Sequence, residues 1–201
     1  MQYPETITKL IESFSKLPGI GRKSATRLAF YTLGMEDQDV NDFADNLKAS
    51  KSDLTFCRIC GFITDKDENP CGICTDPSRD QSKIFVVRDS QDLMAIENTH
   101  DYNGLYHVLN GVLSPSEGRG PEDINIRSLI TRLSSHNEIK EVIIGLDAST
   151  QGEATTLYLG KLIKPSGIKV TRLARGLSVG TDVNYVDQLT LTQAVNGRTE
   201  V

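Results

Sequence analysis

The first apolar pattern along the chain is helical. Four apolar residues recur at intervals of three or four, the spacing of one helix face: Ile7, Leu10, Ile11 and Phe14. The stretch LPGIGRKSATRLAF, residues 17–30, follows them, with a proline and two glycines ahead of a second helix-forming run. The start of the chain is therefore predicted to form a helix, a tight turn and a second helix.

The second half of the chain alternates short apolar runs with amphipathic segments. The runs predict strands at residues 83–88, 105–109, 140–147 and 168–174, and the amphipathic segments predict helices at 90–99, 124–133 and 152–163. Strands that alternate with helices of this length predict a parallel sheet covered by helices on both faces. Because the N-terminal hairpin lies outside this sheet, the expected fold class is multi-domain α/β.

The glycines beside Lys23 raise the question of phosphate binding. A P-loop requires glycine directly before the lysine, where this chain has Arg22, and a dinucleotide fingerprint requires a preceding strand, where this chain has a helix. The free N–H groups of a helix start, with Lys23 and Arg27 on one face, instead suit a sugar-phosphate backbone. The candidate DNA-binding residues are Gly19, Gly21, Arg22, Lys23 and Arg27. A plain αα-hairpin with a solvated basic face is the alternative interpretation.

The overall charge does not by itself favour nucleic acid. The 201-residue chain has a formal net charge of −5, so such binding must come from local clusters. Residues 16–27 contain four basic residues and no acidic one. A second run without carboxylates contains Lys161, Lys164, Lys169, Arg172 and Arg175. This second run is either another phosphate-facing surface or a solvated face beside a strand end.

All four cysteines lie in the segment CRICGFITDKDENPCGIC, as two C-x2-C pairs separated by ten residues. Such pairs can present four thiolates in a tetrahedral array, which is how structural zinc is held. One Zn²⁺ per chain is expected, in a structural role because a closed site leaves no position for substrate. A reducing cytoplasm disfavours paired disulfides, and the duplicated motif disfavours a redox C-x-x-C. The predicted metal ligands are Cys57, Cys60, Cys71 and Cys74.

The order of these parts is more specific than any one motif. Together with GPEDINI, GEAT and VTRLARGLSVG, the hairpin, the cysteine segment and the α/β unit resemble the bacterial RecR family of recombination mediators over essentially the whole chain. The resemblance implies a helix-hairpin-helix domain at residues 1–53, a C4 zinc finger at 54–77, a Toprim domain at 78–175 and a C-terminal oligomerisation segment at 176–201. It also implies a homotetrameric ring that encircles single-stranded, duplex or gapped DNA. With RecO and RecF, such a ring would help load RecA at gaps coated with single-strand-binding protein.

The implied Toprim domain raises the question of catalysis. Active Toprim enzymes hold Mg²⁺ with a glutamate after the first strand and a D-x-D motif after a later one. In this chain Arg88 takes the first position, and the second reads D-A-S from Asp147. Asp89 is expected on the opposite side of a continuing strand, and Glu97 on the surface of a helix. The expected function is therefore a non-catalytic DNA-binding mediator of recombinational repair, with a magnesium-dependent phosphoryl-transfer enzyme as the alternative.

The start of the chain shows no targeting pattern. The residues MQYPETITKL lack the basic and then apolar arrangement of a signal peptide, and no apolar run approaches the length needed to cross a membrane. The expected location is the cytoplasm, in association with the nucleoid, and no membrane partner is expected.

Overall fold

The computed structural model describes residues 3–200 as two compact units, one ending at Leu54 and the other beginning at Thr55. The first unit is helical and contains α1 (Glu5–Ser15), α2 (Arg22–Thr32) and α3 (Asp37–Ser52). The second unit contains the cysteine segment and the predicted sheet. Each unit has its own apolar core.

The predicted hairpin of α1 and α2 is confirmed. The two helices pack through a small core formed by Ile7, Ile11, Ala25 and Ala29. Alanine on the α2 side lets the two helix backbones approach closely, and partly buried Leu10, Phe14 and Ile20 close the ends of this core. The face of α2 that carries Lys23 and Arg27 is left exposed.

The helix α3 was not singled out by the sequence pattern. None of its residues is buried, and Val40, Phe43 and Leu47 lie exposed on it at helical spacing. Polar and acidic residues dominate the helix, so its apolar spacing is too sparse to stand out.

The second unit begins with short elements around the cysteines. These are β1 (Leu54–Phe56), which starts at the boundary of the units, β2 (Ile63–Asp65) and α4 (Gly72–Thr75). The remaining strands and helices then alternate: β3 (Asp80–Val87), α5 (Ser90–Glu97), β4 (Gly104–Val108), α6 (Ile126–Ser135), β5 (Glu141–Ile144), α7 (Thr150–Ile163), β6 (Lys169–Arg172) and α8 (Gln188–Asn196).

The four strands from β3 to β6 form one parallel sheet in the order β4-β3-β5-β6. In the central strand β3, Ile84 pairs with Leu105 of β4 and Val142 of β5, so apolar residues meet across three strands. One face of the sheet packs against α6 and α7, and the other packs against α5 through Leu93. The prediction of a parallel sheet covered on both faces is confirmed.

The outer edge of β4 is closed by the groups around it. Residues two apart on a strand point their N–H and C=O groups to the same side. Side chains of Arg79, Arg132 and Asn125 donate to such outward carbonyls, those of Gly104, Tyr106 and Val108 respectively. The N–H of Val108 donates to the carbonyl of Cys60 at 2.6 Å. At the opposite edge, β6 pairs only with β5 among the strands of residues 3–200.

The end of the described chain is mostly exposed. A 3-10 turn at Val183–Tyr185 leads to α8, which has no buried residue. Large apolar side chains that project into solvent here include those of Val179, Tyr185, Leu189 and Val195. No helix within residues 3–200 has both the length and the apolar character needed to cross a membrane.

Candidate metal centre and nucleic-acid interface

The four predicted metal ligands come together in one cluster. All four sulfur atoms lie within 4.8 Å of one another. Sγ of Cys57 lies 3.9 Å from that of Cys74, and Sγ of Cys60 lies 3.6 Å from that of Cys71. A zinc–sulfur bond of about 2.3 Å in a tetrahedron places sulfur atoms about 3.8 Å apart. The residues present therefore fit a four-thiolate metal site.

The thiols are free, and their protonation reflects how close they lie. None of the four cysteines is in a disulfide. Hydrogen bonds from the Cys60 and Cys74 thiols lower the pKa of Cys71, whereas the hydrogen bond to Cys71 raises the pKa of Cys60. One divalent cation would stabilise the deprotonated form of all four, because metal ligation requires thiolate. The cluster can therefore bind a metal ion and offers no open position for a substrate.

Two features outside the sulfurs hold this segment in place. The amide side chain of Asn69 accepts from the N–H of Arg58 at 3.0 Å and donates to the carbonyl of Phe56 at 3.1 Å, so it joins the two cysteine pairs. Gly61 has φ +78°, and a Cβ there would lie 2.7 Å from the carbonyl oxygen of Val108. Only glycine lets the cysteine segment sit this close to the end of β4.

The predicted turn between α1 and α2 is built around one of its two glycines. The N–H of Ile20 donates to the carbonyl of Leu17 at 3.1 Å, which closes a four-residue turn with Pro18 and Gly19 in the middle. Gly19 has φ +77°, the conformation that the third position of a type II turn requires. The second glycine, Gly21, is not needed for the turn, because any residue can adopt its φ of −75°.

Gly21 is instead the N-cap residue of α2, where it provides no capping side chain. It is the residue before the first helical turn, and among residues 3–200 no side chain accepts a hydrogen bond from the N–H groups that follow. A Cβ at Gly21 would meet no atom within 4 Å. The first N–H groups of α2 thus face open space, with the positive end of the helix dipole behind them.

The four basic residues of the segment 16–27 are all exposed: Lys16, Arg22, Lys23 and Arg27. The ion pairs within the described part of this unit join Lys9 to Glu5 and Lys48 to Asp45, and neither involves these four. Their positive charge is therefore not neutralised by carboxylates of the unit. Such a surface can contact phosphate groups without reading bases.

The second basic run is partly neutralised by two carboxylates. Glu153 on α7 pairs with both Arg172, at 3.3 Å, and Arg175, and Lys169 pairs with Glu141 at 3.3 Å. Three of the five basic residues in the run therefore contact carboxylates that lie outside it in sequence. This favours the interpretation of a solvated face beside a strand end over a second phosphate-facing surface.

The carboxyl end of the sheet gathers charged residues, as predicted. Arg88 follows β3 and lies 3.3 Å from Asp147, which follows β5. The expectation that Asp89 faces away is wrong. The strand ends at Val87, so Asp89 begins α5 instead, accepting hydrogen bonds from two N–H groups of the first turn and one from Arg88.

Glu97, which was expected on the surface of a helix, is partly buried, with its side chain 25 % exposed. Glu97 is the last residue of α5, and it pairs with Arg79, whose side chain is only 11 % exposed. The hydrogen bond to Arg79 lowers the pKa of Glu97. Arg79 also donates to the carbonyl of Gly104, so this pair is part of the closed edge of β4. No local pattern predicted this ion pair, because Arg79 and Glu97 lie 18 residues apart along the chain.

Comparisons with known proteins match this arrangement along the chain. Three family models match: "RecR, helix-hairpin-helix" at residues 7–51, "Toprim domain" at 82–174 and "RecR, C-terminal" at 176–199. With the four-cysteine cluster, they confirm the predicted fold class.

Comparison with full-length relatives agrees with the family models. Proteins named "Recombination protein RecR" are 84% identical in Oenococcus oeni, 67% in Leuconostoc citreum and 62% in Pediococcus pentosaceus, in each case over 100% of both chains. Relatives of this identity over the whole length establish the family, and the family implies a role in recombinational repair. The chain therefore belongs to the RecR family of recombination proteins.

Proposed function

We propose that this protein is a non-catalytic DNA-binding mediator of recombinational repair and that the α1–α2 hairpin is its contact with DNA. The observation that carries the proposal is the start of α2, where no side chain of the described residues caps the first N–H groups and the basic residues of 16–27 are all exposed. Family membership supports a role in recombination.

The proposed contacts differ in kind. Gly19 shapes the turn, and Gly21 leaves room for a phosphate to approach the N–H groups of α2. Arg22, Lys23 and Arg27 supply positive charge around that position. Contacts of this type hold a sugar-phosphate backbone and are nearly independent of base sequence. Single-stranded, duplex and gapped DNA are all proposed ligands.

The assembly is proposed to be a homotetrameric ring around DNA. Exposed apolar side chains near the C-terminus, such as Leu189 and Val195, support a role for residues 176–201 in joining subunits. The other proposed domains are residues 1–53 for DNA binding, 54–77 for the metal and 78–175 for the Toprim fold. Family membership supports RecO and RecF as partners in loading RecA, in the cytoplasm at the nucleoid. Native mass measured with and without DNA distinguishes a ring from a monomer.

The metal is proposed to be Zn²⁺, one per chain and structural. Four thiolate ligands at tetrahedral spacing suit zinc better than Mg²⁺ or Ca²⁺, which prefer oxygen. The cluster's three buried cysteines leave no route for a substrate to reach the ion.

The absence of catalysis is proposed from the charges at the carboxyl end of the sheet. Phosphoryl transfer on Mg²⁺ needs several carboxylates free to hold the ion. Here Arg88 contacts Asp147, and Ser149 replaces the second aspartate of the D-x-D motif. A guanidinium in this place repels a metal ion, which disfavours the alternative of a magnesium-dependent enzyme.

The DNA contact is tested by charge reversal in the hairpin. The double variant Lys23→Glu with Arg27→Glu is expected to abolish binding to labelled gapped DNA at physiological salt, with the fold and the metal content kept, since both side chains are exposed. Each lost phosphate contact should flatten the slope of log affinity against log salt by roughly 0.7 to 0.9. In a ring the change multiplies with the number of subunits.

The matched control reverses two exposed lysines elsewhere. Lys161→Glu with Lys164→Glu makes the same change in net charge outside the hairpin and is expected to cost much less affinity. If the hairpin variant kept the affinity and the salt slope of the unmodified protein, the hairpin would be only a structural corner and the proposal would be wrong.

A further inference from the structure

Arg88 lies at the end of β3 among three carboxylates from different segments. Its Nε donates to Oδ2 of Asp89 at 2.9 Å, its Nη1 to Oδ2 of Asp147 at 3.3 Å and its Nη2 to Oδ1 of Asp92 at 3.4 Å. Each of the three guanidinium nitrogens thus has its own carboxylate. Because a guanidinium stays protonated at every pH that a folded protein meets, this cation is permanent.

The carboxylates are also positioned by contacts that do not involve the arginine. Oδ1 of Asp89 accepts from the N–H groups of Gln91 and Asp92 at 2.9 and 3.0 Å. Oδ1 of Asp147 accepts from the N–H and the hydroxyl of Ser149 at 3.1 and 2.6 Å. The start of α5 and the segment after β5 therefore hold acidic groups on two sides of the guanidinium, whichever cation lies between them.

The pKa values agree with this arrangement. The hydrogen bond to Asp89 raises the pKa of Arg88, with smaller contributions from Asp92 and Asp147. The hydroxyl of Ser149, together with Arg88, lowers the pKa of Asp147. Burial and the neighbouring charge of Asp89 raise the pKa of Asp92, the carboxylate at the longest distance from the arginine.

A divalent ion does not fit beside this guanidinium. Mg²⁺ needs a near-octahedral shell of oxygen atoms at about 2.1 Å and normally keeps several waters. One oxygen of each carboxylate is already hydrogen-bonded to the arginine, so an ion between the three would have to displace the guanidinium, and the guanidinium charge opposes its approach. The disagreement with a metal-dependent Toprim site is therefore one of geometry as well as of charge.

We infer that Arg88 is a resident cation, meaning a side chain that does permanently what Mg²⁺ does in a metal-dependent Toprim site. It joins the end of β3, the start of α5 and the segment after β5 through one planar group. The arrangement of these three segments at the carboxyl end of the sheet is then independent of divalent ions. Removing the guanidinium while keeping the three aspartates would make the same place responsive to Mg²⁺.

The test compares the full-length, zinc-loaded protein with three variants at Arg88 and elsewhere. In Arg88→Gln, Tm should fall by a few degrees without Mg²⁺ and recover by about 3 °C in about 10 mM Mg²⁺. The unmodified protein should shift by less than about 1 °C under the same conditions. Arg88→Lys keeps one charge but not the three-way fork, so its Tm should fall without a Mg²⁺ response. Arg127→Gln removes an exposed arginine of α6, and it should neither lower Tm nor make Tm respond to Mg²⁺.

Binding is read independently from the loss of the free Mn²⁺ signal in electron paramagnetic resonance. Arg88→Gln should bind Mn²⁺ at least tenfold more tightly than the unmodified protein, and adding Asp147→Asn should remove that gain. NaCl of matched ionic strength serves as the control for screening. Equal Mn²⁺ affinity in the unmodified protein and in Arg88→Gln, or a gain that survives Asp147→Asn, would overturn the inference.

Discussion

At the scale of single residues, burial determines the protonation state of His107. Its ring is fully buried in β4, with Nε2 2.8 Å from the carbonyl oxygen of Asn125. Its Nδ1 has no hydrogen-bond partner among residues 3–200. Burial lowers the pKa of His107 from 6.5 to about 4, so the ring is neutral in the folded protein at ordinary pH.

This burial predicts a loss of stability in mild acid. Below about pH 6.5 the unfolded chain takes up a proton at His107 and the folded chain does not, so the free energy of unfolding falls as the pH is lowered towards about 4. The loss should reach about 2 kcal/mol by about pH 5. Denaturant titrations of the unmodified protein and of His107→Asn measure it, because asparagine cannot titrate.

The control for this titration is His100→Asn. His100 is exposed and has φ +59°, a conformation that asparagine adopts readily. This variant should keep the full decline between about pH 6.5 and about pH 5, whereas His107→Asn should lose most of it. An equal decline in both variants would mean that His107 is not the group responsible.

Single residues were predictable where their partners are close in sequence. The repeated C-x2-C spacing is typical of metal sites, so the four candidate metal ligands could be named from it, and the structure brings the two pairs together. The contacts of Asp89 and Glu97 were not predicted, for a different reason. The first depended on where β3 ends and the second on Arg79, and neither the strand end nor the partner is encoded in the residues next to them.

At the scale of elements, the hairpin separates the roles of two glycines. Gly19 carries the positive φ of the turn, and Gly21 leaves the start of α2 open. The same substitution at the two positions therefore has different expected effects. Serine is strained at Gly19, whereas at Gly21 it is a preferred helix-capping residue.

Gly19→Ser should lower the free energy of unfolding by about 1 kcal/mol or more, because a side chain disfavours the left-handed conformation. Gly21→Ser should leave stability unchanged or raise it by about 0.5 kcal/mol, yet weaken DNA binding, since its hydroxyl competes for the N–H groups that we assign to phosphate. Denaturation and DNA titration of both variants measure the two effects. Unchanged DNA affinity in Gly21→Ser would count against phosphate binding at this helix start.

Elements were predictable where apolar residues recur regularly. The strands β4, β5 and β6 and the helices α1, α2, α5, α6 and α7 fall within the predicted segments or within two residues of them, and β3 begins three residues before its predicted segment. The helix α3 was not predicted because its three apolar residues at helical spacing, Val40, Phe43 and Leu47, are few among many polar and acidic ones. A helix without a packed face leaves little periodicity to detect.

At the scale of the whole molecule, the cysteine segment is part of the sheet's edge rather than an appendage. The carbonyl of Cys60 accepts from Val108, and the side chain of Asn110 donates to the carbonyl of Gly61 at 3.1 Å. These contacts join residues far apart along the chain, and no local pattern could reveal them. The sequence predicted a metal site and a sheet, but it did not predict that the cysteine segment covers one edge of the sheet.

Loss of the metal is therefore expected to reach the sheet. The purified protein should contain about one zinc ion per chain. Cys60→Ser should remove the ion, unfold the cysteine segment and speed amide hydrogen exchange in β4, while α1 and α2, in the other unit, keep their protection. Chelation of the unmodified protein should reproduce these changes, and added Zn²⁺, but not Mg²⁺, should reverse them. Metal-free protein with unchanged exchange in β4 would contradict the prediction.

The closed edge of β4 also limits how chains of this protein can associate through their sheets. A protein with two open edges can accept a neighbour on each side, and repeated addition produces a fibril. Within the described residues, the side-chain hydrogen bonds along β4 leave β6 as the one available edge of the four-stranded sheet. A strand-to-strand contact between copies through this sheet would therefore end at two chains. A sheet with one available edge favours closed complexes over open-ended growth.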